Sequence, residues 1–577
     1  MNLRFIDIAK SYDGKKVLEQ ISGAITPGDK IGLVGRNGVG KTTLVKILAG
    51  QETCDAGKID YAPITGKIVY LEQYPQFVAT DSVYEAVLRV AENNCQLQLQ
   101  DVETMVKKSL HIMGIAEERW EQRALSLSGG EKTKLALCRV WVSDYDLLIL
   151  DEPTNHLDLV SCEWLENFVA NLAQPMVIIS HDRYFLDQVT TKIWELTTEG
   201  LKEYAGNYSG YRRQKEIEEQ SIAKEYQKQQ LKIRHLKQVI SERRGWYKNA
   251  HTAAGQNDFY RSKAKKHAKA VKAKERELER VEKEQIAKPQ KAPTPAFAII
   301  NKNITGKKFP PVLVRGEKVG KSFGEKVLFQ GASFAIERGD KIALLGANGA
   351  GKTTLLKIIA GLDQSYSGEV TISPSVNIGY FAQELDNLDL EATILDHVLT
   401  VGASVEEARL LLACLLFRGD AVDKKIGCLS MGERGRVAFA KLILAGANLL
   451  ILDEPTNYMD IESKEKIEEV ITDFNGSLIF VTHDRYFMRL ATKVFVLTSG
   501  KLNCYAGNYA YYLTKRKDTT AAEQELTDNI IRLECELAFL GGKLNAVEDE
   551  AEKEELQARF LKVARELRHC KDRKNRK

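Results

Sequence analysis

No apolar run in the 577-residue chain approaches the roughly 18–20 residues needed to cross a bilayer; the longest, around Leu410 to Phe417, is far too short. The chain also lacks any Cys-x-x-Cys pair. Its cysteines (Cys54, Cys95, Cys138, Cys162, Cys414, Cys428, Cys504, Cys535 and Cys570) form an odd set, which suits reduced thiols better than a disulfide framework or a zinc site. Met1 to Asp7 carries charges and reads as a first strand, not a signal peptide. Together these absences predict a cytoplasmic protein. Net charge is only +4, and the hydrophobic and charged fractions of 44% and 28% exclude a disordered chain. One stretch nevertheless lacks acids: from Arg243 to Lys274 only Asp258 interrupts a run of lysines and arginines.

What is present occurs mostly twice. Gly35-Arg36-Asn37-Gly38-Val39-Gly40-Lys41-Thr42 recurs as Gly346-Ala347-Asn348-Gly349-Ala350-Gly351-Lys352-Thr353. Leu127 to Glu131 recurs as Leu429 to Glu433, Leu147 to Asn155 as Leu449 to Asn457, Ser180 to Phe185 as Thr482 to Phe487, and Tyr204 to Tyr208 as Tyr505 to Tyr509. Five motifs in one order predict two homologous domains rather than a solenoid. We expect domains at 1–212 and 307–514, an interdomain helical-hairpin linker at 213–306 and a C-terminal helical extension at 515–577. Pro289, Pro293, Pro295, Pro310 and Pro311 mark an extended piece before the second domain. Leu526, Ile530, Leu533, Leu537 and Leu540, then Leu556, Phe560, Val563 and Leu567, predict a helical hairpin in the tail.

Each Gly-x-x-x-x-Gly-Lys-Thr follows an apolar strand-like run and precedes a helical one. In that context glycines turn backbone N–H groups inward to cradle phosphates at a helix N-terminus. Lys41 and Lys352 would reach the outer phosphates, and the hydroxyls of Thr42 and Thr353, with Thr43 and Thr354 beside them, would serve Mg²⁺ and phosphate. Asp151 and Asp453 end apolar strands, which puts a carboxylate beside the metal. Glu152 and Glu454 follow as candidate general bases. A lone His after a strand is commonly structural, but His181 and His483 repeat, which favours a γ-phosphate contact.

The unrepeated segment Gln214 to Glu284 carries Ile222, Tyr226, Ile233, Leu236 and Ile240, then Ala264, Ala268, Val271 and Leu278, on three–four spacings. Two stripes joined by a tip containing Gly245 and Gly255 predict an antiparallel coiled coil. Helices of about 25–30 residues would reach about 40 Å. Arg243, Arg244, Lys248, Arg261, Lys263, Lys265, Lys266 and Lys269 are candidates to pair with RNA phosphates. Trp246, Tyr247, Phe259 and Tyr260 are candidates to stack on bases. The plainer alternative is a solvated charged hairpin, which leaves the scarcity of acids near the tip unexplained.

The motif set resembles the ATP-binding-cassette proteins, and Leu-Ser-Gly-Gly-Glu at Leu127 to Glu131 resembles their signature. The resemblance implies an α/β fold: two P-loop ABC-type nucleotide-binding domains joined by an α-helical antiparallel coiled-coil linker, with a C-terminal helical extension. It implies two ATP sites. One joins Lys41, Gln73, Asp151, Glu152 and His181 to Ser430, Gly432 and Glu433. The other joins Lys352, Gln383, Asp453, Glu454 and His483 to Ser128, Gly129, Gly130 and Glu131. Gln73 and Gln383 would assist Mg²⁺, and Tyr12 and Phe323 resemble the aromatic that stacks on adenine, against the plainer reading of strand aromatics. Met431 stands where the first signature glycine is expected, which implies two hydrolysing sites of unequal rate.

Glu152 to Asp158 with its partner Glu454 to Asp460, the His-Asp-Arg-Tyr-Phe runs, the Gly-Asn-Tyr turns and the charged linker resemble the ABC-F group of soluble twin-cassette proteins. That resemblance implies a monomeric ATPase that enters the ribosomal tRNA exit site when ATP-bound. Its linker would point towards the peptidyl-transferase centre, with ribosomal RNA and P-site tRNA as partners. Gln73 to Ser128 is only about eight residues longer than Gln383 to Ser430, ordinary loop variation. A small first cassette, the arm tip, Met431 and the tail resemble the antibiotic-resistance branch. A housekeeping factor relieving stalled ribosomes and the ATPase subunit of a transporter remain as alternatives, the latter leaving the arm without a role.

Overall fold

The computed structural model describes residues 2–62, 66–73, 75–94, 99–155, 157–253, 258–284, 297–302, 304, 309–324, 326–382, 388–516 and 564–565. Two compact units emerge. The first comprises Met1–Asn303, Glu384–Gly446 and Thr456–Phe474; the second comprises Ile304–Gln383, Ala447–Pro455 and Asn475–Lys577. The helical part of the second repeat thus belongs to the first unit.

In chain order the first unit runs β1 (Asn2–Tyr12), β2 (Lys15–Ile25), β3 (Lys30–Val34), α1 (Lys41–Leu48), β4 (Ala56–Ala62) and β5 (Ile68–Leu71). Then come α2 (Val83–Asn94), α3 (Leu99–Ile112), α4 (Gly129–Trp141), β6 (Leu147–Asp151), α5 (Leu159–Asn171), β7 (Met176–Ile179), α6 (Arg183–Val189), β8 (Lys192–Thr197) and β9 (Gly200–Ala205). A six-stranded sheet has the order β5-β6-β7-β3-β8-β9, and a three-stranded antiparallel sheet the order β2-β1-β4. The central strands are apolar along their length because the sheet is covered on both faces. Alternation decides which face each side chain fills. Leu147, Ile149, Val177 and Ile179 pack with α1 and the small sheet, while Leu148, Leu150, Met176 and Ile178 pack with α4, α5 and α6.

The arm leaves this unit as α7 (Tyr208–Ala253) and returns as α8 (Asp258–Lys283), and the two helices pack along each other. At 1.5 Å per residue, the 46 residues of α7 extend about 70 Å. α8, at 26 residues, has the expected length, whereas α7 outruns it, and the expected tip is corrected. Gly245 lies inside α7, which continues to Ala253, and Gly255 lies outside the described residues. Ile233, Leu236, Ile240 and Val271 are buried in the seam, whereas Ile222 is exposed. Cross-helix ion pairs Lys237–Glu282 (2.8 Å), Lys232–Glu277 (3.7 Å) and Arg244–Glu275 line its flanks.

After the arm, α9 (Phe297–Ile300) lies against two helices of the second repeat within the same unit. In chain order the second repeat then supplies β10 (Val312–Phe323), β11 (Lys326–Glu337), β12 (Lys341–Gly346), α10 (Lys352–Ile359), β13 (Ser367–Ile372) and β14 (Ile378–Phe381). It continues with α11 (Ile394–Leu399), α12 (Val405–Cys414), α13 (Met431–Leu444), β15 (Leu449–Asp453), α14 (Ile461–Asp473), β16 (Ser477–Val481), α15 (Arg485–Met488), β17 (Lys493–Thr498) and β18 (Lys501–Tyr505). The helices packed by α9 are α13 and α14. In the second unit the sheet order β14-β15-β16-β12-β17-β18 and the small sheet β11-β10-β13 reproduce the first. Pro289, Pro293, Pro295 and the tail hairpin with Leu526 to Leu567 lie outside the described residues.

Candidate active site

Between β3 and α1 the loop Gly35 to Gly40 turns sharply. Gly35, Gly38 and Gly40 take φ of 155°, 78° and 104°, and a Cβ on Gly35 would lie 2.4 Å from the Leu196 carbonyl oxygen. Only glycine fits there. Gly40 caps α1 with no side-chain bond, so the first helical amides face an anion site. Lys41 Nζ donates to the carbonyls of Gly35 (2.7 Å) and Arg36 (3.1 Å). Burial lowers its pKa, against the opposing charges of Glu152, Asp460 and Asp151. Gly346, Gly349 and Gly351 repeat these φ values in the second unit, and Lys352 Nζ donates to Gly346 (2.9 Å) and Ala347 (3.1 Å). Val39, Asn348 and Ala350 occupy the intervening loop positions, and Thr43 and Thr354 stand in α1 and α10.

Asp151 ends β6, buried, and its Oδ2 accepts hydrogen bonds from Thr42 Oγ1 (3.0 Å) and Tyr70 OH (3.1 Å). Desolvation raises its pKa. The next residue, Glu152, has φ 51°, a left-handed turn that costs energy for a side chain of this kind. That turn aims the carboxylate back at β7, where Oε2 accepts from the His181 backbone N–H at 3.2 Å. Oε1 is buried and makes no hydrogen bond. Burial first, then the neighbouring Asp151 charge, push the Glu152 pKa up to about 7. His181 Nε2 sits 3.1 Å from Asn37 Oδ1 and 3.5 Å from Glu152 Oε1. Its own pKa is pushed down to about 3 by burial and by the cations of Lys41 and Lys464, so the imidazole is neutral.

In the second unit Asp453 ends β15, and burial pushes its pKa up to about 6. Glu454 again has φ 51°, and its Oε1 lies 3.2 Å from His483 Nε2. Glu454 Oε2 and His483 Nδ1 are buried without a hydrogen-bond partner.

Around the first phosphate loop, α13 and α14 form a wall within the same unit. Ser430 caps α13 by accepting from Glu433 N, while Glu433 Oε2 accepts from Ser430 N at 2.9 Å. Ser128 and Glu131 build the matching box at α4, with Gly129 and Gly130 in its first turn. A Cβ on Gly432 would come 2.5 Å from the Tyr458 carbonyl oxygen, so α13 needs glycine where it meets that loop. Met431 is 44% exposed at the start of α13. Asn37 reaches the Tyr458 carbonyl through Nδ2 and Asp460 Oδ2 through its backbone N–H, both at 3.4 Å. Arg36 makes a two-pronged pair with Glu462 (2.9 and 3.2 Å).

α14 carries more contacts than its sequence announced. Lys464 Nζ donates to the His181 carbonyl at 3.0 Å. Buried Arg183 pairs with Glu468 (Nη1 to Oε2, 3.0 Å), and Arg212 with Glu465 at 3.3 Å. Tyr208 and Arg212 belong to the first turn and a half of α7, so one face of α14 runs from the phosphate loop to the root of the arm. Tyr70, Tyr458, Asp460, Glu462, Lys464, Glu465 and Glu468 are thus site-shaping residues absent from the expectation. The one available signal was Asp460 with Ser463 three residues later, an N-cap pattern.

Gln73 is half-buried in the bend after β5; Gln383 lies outside the described residues. Tyr12 is hydrogen-bonded through its hydroxyl to Glu52, with Lys10 over its ring at 5.6 Å. Phe323 has Lys321 over its ring at 5.0 Å and is otherwise exposed. Of the arm candidates, Arg243, Trp246, Lys266 and Lys269 are exposed. Arg244 is committed to Glu275, so part of its charge serves the hairpin itself. Tyr247, Lys248, Phe259, Tyr260, Arg261, Lys263 and Lys265 lie on the helical backbone, and their side chains fall outside the described residues.

Among the described residues no helix is long and apolar enough to cross a membrane. The ABC transporter family profile matches residues 18–155 and 329–457, and an extension profile, also described as ABC transporter, matches 194–298. The chain is 36% identical to ABC transporter F family member 5 of Arabidopsis thaliana, over 90% of this chain and 78% of that protein. It is 35% identical to ribosome protection protein VmlR of Bacillus subtilis, over 84% of each. It is 32% identical to energy-dependent translational throttle protein EttA of Escherichia coli K12, over 88% of this chain and 94% of EttA. The solved archaeal aABCE1, crystallised with the stalk protein aP1, shares the fold with a TM-score of 0.58 at 18% identity, over 87% of this chain and 90% of that one.

Proposed function

The chain belongs to the ABC transporter F (ABC-F) family and is an ATP hydrolase, and from that premise we propose that it acts in the cytoplasm, as a monomer, on the ribosome. In this reading the ATP-bound chain occupies the tRNA exit site, points α7 and α8 towards the peptidyl-transferase centre beside P-site tRNA, and protects translation from ribosome-targeting antibiotics. The observation that carries it is the arm: about 70 Å of helix with exposed Arg243, Lys266 and Lys269 towards its far end. Cations at that reach suit phosphate contacts on RNA. VmlR, by name a ribosome protection protein, supports the reading.

The site chemistry follows from the residues. Loop glycines and Lys41 or Lys352 would hold the triphosphate. Thr42 with Asp151, and Thr353 with Asp453, offer hydroxyl and carboxylate oxygens that suit Mg²⁺, which supplies charge neutralisation for the phosphoryl group when bound. Glu152, poised near neutrality, is placed to accept a proton from water, and neutral His181 is placed to donate to a phosphate oxygen. Glu454 and His483 would do the same in the second repeat. Ser430, Gly432 and Glu433 stand behind Tyr458 and Asp460 at the first phosphate loop.

A second reading, a housekeeping translation factor, is favoured by the similarity along 94% of EttA. Glu152→Gln with Glu454→Gln tests the shared core: the double variant should co-sediment with ribosomes in ATP, and absence of ATP-dependent association refutes it. Expression in a susceptible bacterium separates the branches. Raised inhibitory concentrations for drugs of the peptidyl-transferase region or exit tunnel support protection; an unchanged panel with a translation defect supports the housekeeping role.

A further inference from the structure

The internal repeat exposes one groove that is filled in one copy and open in the other. In the second repeat, α9 packs against α13 and α14 and reaches the C-terminal end of α14. Ile300 and Asn301 are buried there, and Asn301 Nδ2 donates to the Asp473 carbonyl (2.8 Å) and back to Phe297 (3.1 Å). Lys302 pins the segment from outside by pairing with Glu407 at 2.6 Å. The covering piece is therefore one helical turn with an aliphatic side chain followed by an amide that closes on a helix-end carbonyl.

The repeat-related groove of the first repeat, between the ends of α4 and α5, is open. It measures about 540 Å³ and includes Trp141, Tyr145, Trp164, Phe168 and Leu172 in its lining. Three of these form one cluster: Trp164 stacks on Phe168 at 5.1 Å and 11°, Trp141 stacks on Phe168 at 5.4 Å and 23°, and Trp141 is tilted by 33° to Trp164 at 6.0 Å. Counting from Ser128 and Ser430, Trp141, Trp164, Phe168 and Asn171 occupy the places of Ile443, Lys466, Val470 and Asp473. The carbonyl that Asn301 caps in one copy is thus that of Asn171 in the other. All three rings are half-buried, presenting stacked aromatic faces to a neighbour that the described residues do not supply. Aromatic groups in a concave site, ringed by Asn167, Asn171 and Gln174, match the make-up of peptide-binding pockets.

We propose that this aromatic groove is a docking site for a short helical turn of a partner protein. The turn carries an aliphatic residue and an Asn immediately after it, the pattern of buried Ile300 and Asn301, with an exposed residue in the place of Phe297. The aliphatic side chain enters over Phe168, and the amide caps the Asn171 carbonyl. The helix-in-groove mode needs only these anchors.

The probe is a copy of residues 295–302 fused ahead of Asn2 through a spacer of about ten residues, comparable to the stretch from α9 to β10, so that effective concentration offsets weak intrinsic affinity. Hydrogen exchange across Trp164–Leu172 and acrylamide quenching of tryptophan are read in the full chain. We expect the copy to slow exchange by roughly threefold or more and to reduce quenching. The same copy carrying I300D should do neither. Because the control changes only the copy, a failure of the host to fold cannot mimic it. Equal behaviour of the two fusions overturns the proposal. So does an unmodified chain whose groove is already shielded and becomes exposed on removing 515–577 or on dilution, since the occupant would then be its own tail or a second copy.

Discussion

Replacing Glu152 by Gln should stabilise the nucleotide-free protein, and by an amount set by pH. Glu152 is 6% exposed, and burial with the adjacent Asp151 charge raises its pKa from 4.5 to about 7. A carboxyl whose folded pKa lies above its unfolded one favours folding fully below about pH 4.5. That contribution is lost as pH rises through about 7. A rise from 4.5 to about 7 corresponds to about 3 kcal/mol. Gln keeps the shape and can still accept from the His181 N–H, but carries no charge to desolvate. At pH 8 the variant should therefore melt higher, by roughly 5 °C for a unit of this size. At pH 5, where the folded carboxyl is protonated but the unfolded one is largely ionised, the gain should fall to about a quarter of that. Differential scanning fluorimetry without nucleotide, at both pH values, provides the assay. His181 does not confound it, because its neutral ring titrates only near 3. A gain equal at pH 5 and pH 8, or none at either, refutes the reasoning that a strained, desolvated carboxylate is held here at a stability cost.

Two further outcomes follow from the contacts of α14 and α13. Arg212→Met should cost about 1 kcal/mol, because half-buried Glu465 keeps Arg183 at 3.9 Å, and Arg212→Met with Glu465→Met should recover part of it in a double-mutant cycle by chemical denaturation. Gly432→Ala should cut ATP turnover at least about tenfold in a Glu454→Gln background, since its Cβ meets the Tyr458 carbonyl at 2.5 Å and a misplacement of about 1 Å costs rate on that scale; Met431→Gly, at an exposed position, should not.

Much of the site was legible because its chemistry is written in backbone demands. Gly35 and Gly432 have no substitute where a carbonyl stands within 2.5 Å of the missing Cβ, and such demands leave fixed letters. Asp151 and Asp453 were readable as strand ends because the apolar run before each is buried throughout. The face of α14 was not legible. Glu462, Lys464, Glu465 and Glu468 look like an ordinary solvated helix until the fold brings Arg36, His181, Arg212 and Arg183 against them. α7 outruns its expected length for a related reason. A single glycine costs a helix about 1 kcal/mol, too little to break α7 at Gly245 when Arg244 is tied to Glu275 across the hairpin.

The two repeats therefore agree in chemistry and differ in what holds it. Arg183 and Glu468 have counterparts of the same type in Arg485 and Glu166, but Arg36, Glu462, Lys464 and Arg212 fall at the positions of Ala347, Val160, Cys162 and Leu513. The ties that α14 makes to the phosphate loop, to the His181 carbonyl and to the arm thus involve residues the other repeat does not carry. Surface ion pairs alone contribute little, and Arg36 with Glu462 is largely exposed. Glu465 is different, because it is half-buried and lies between Arg212 on α7 and buried Arg183. A partly desolvated group held from two sides fixes a geometry more than it adds stability. Met431 is then only the visible part of an asymmetry. The deeper part is that the first phosphate loop shares one helix with the root of the arm, a connection no motif comparison would register.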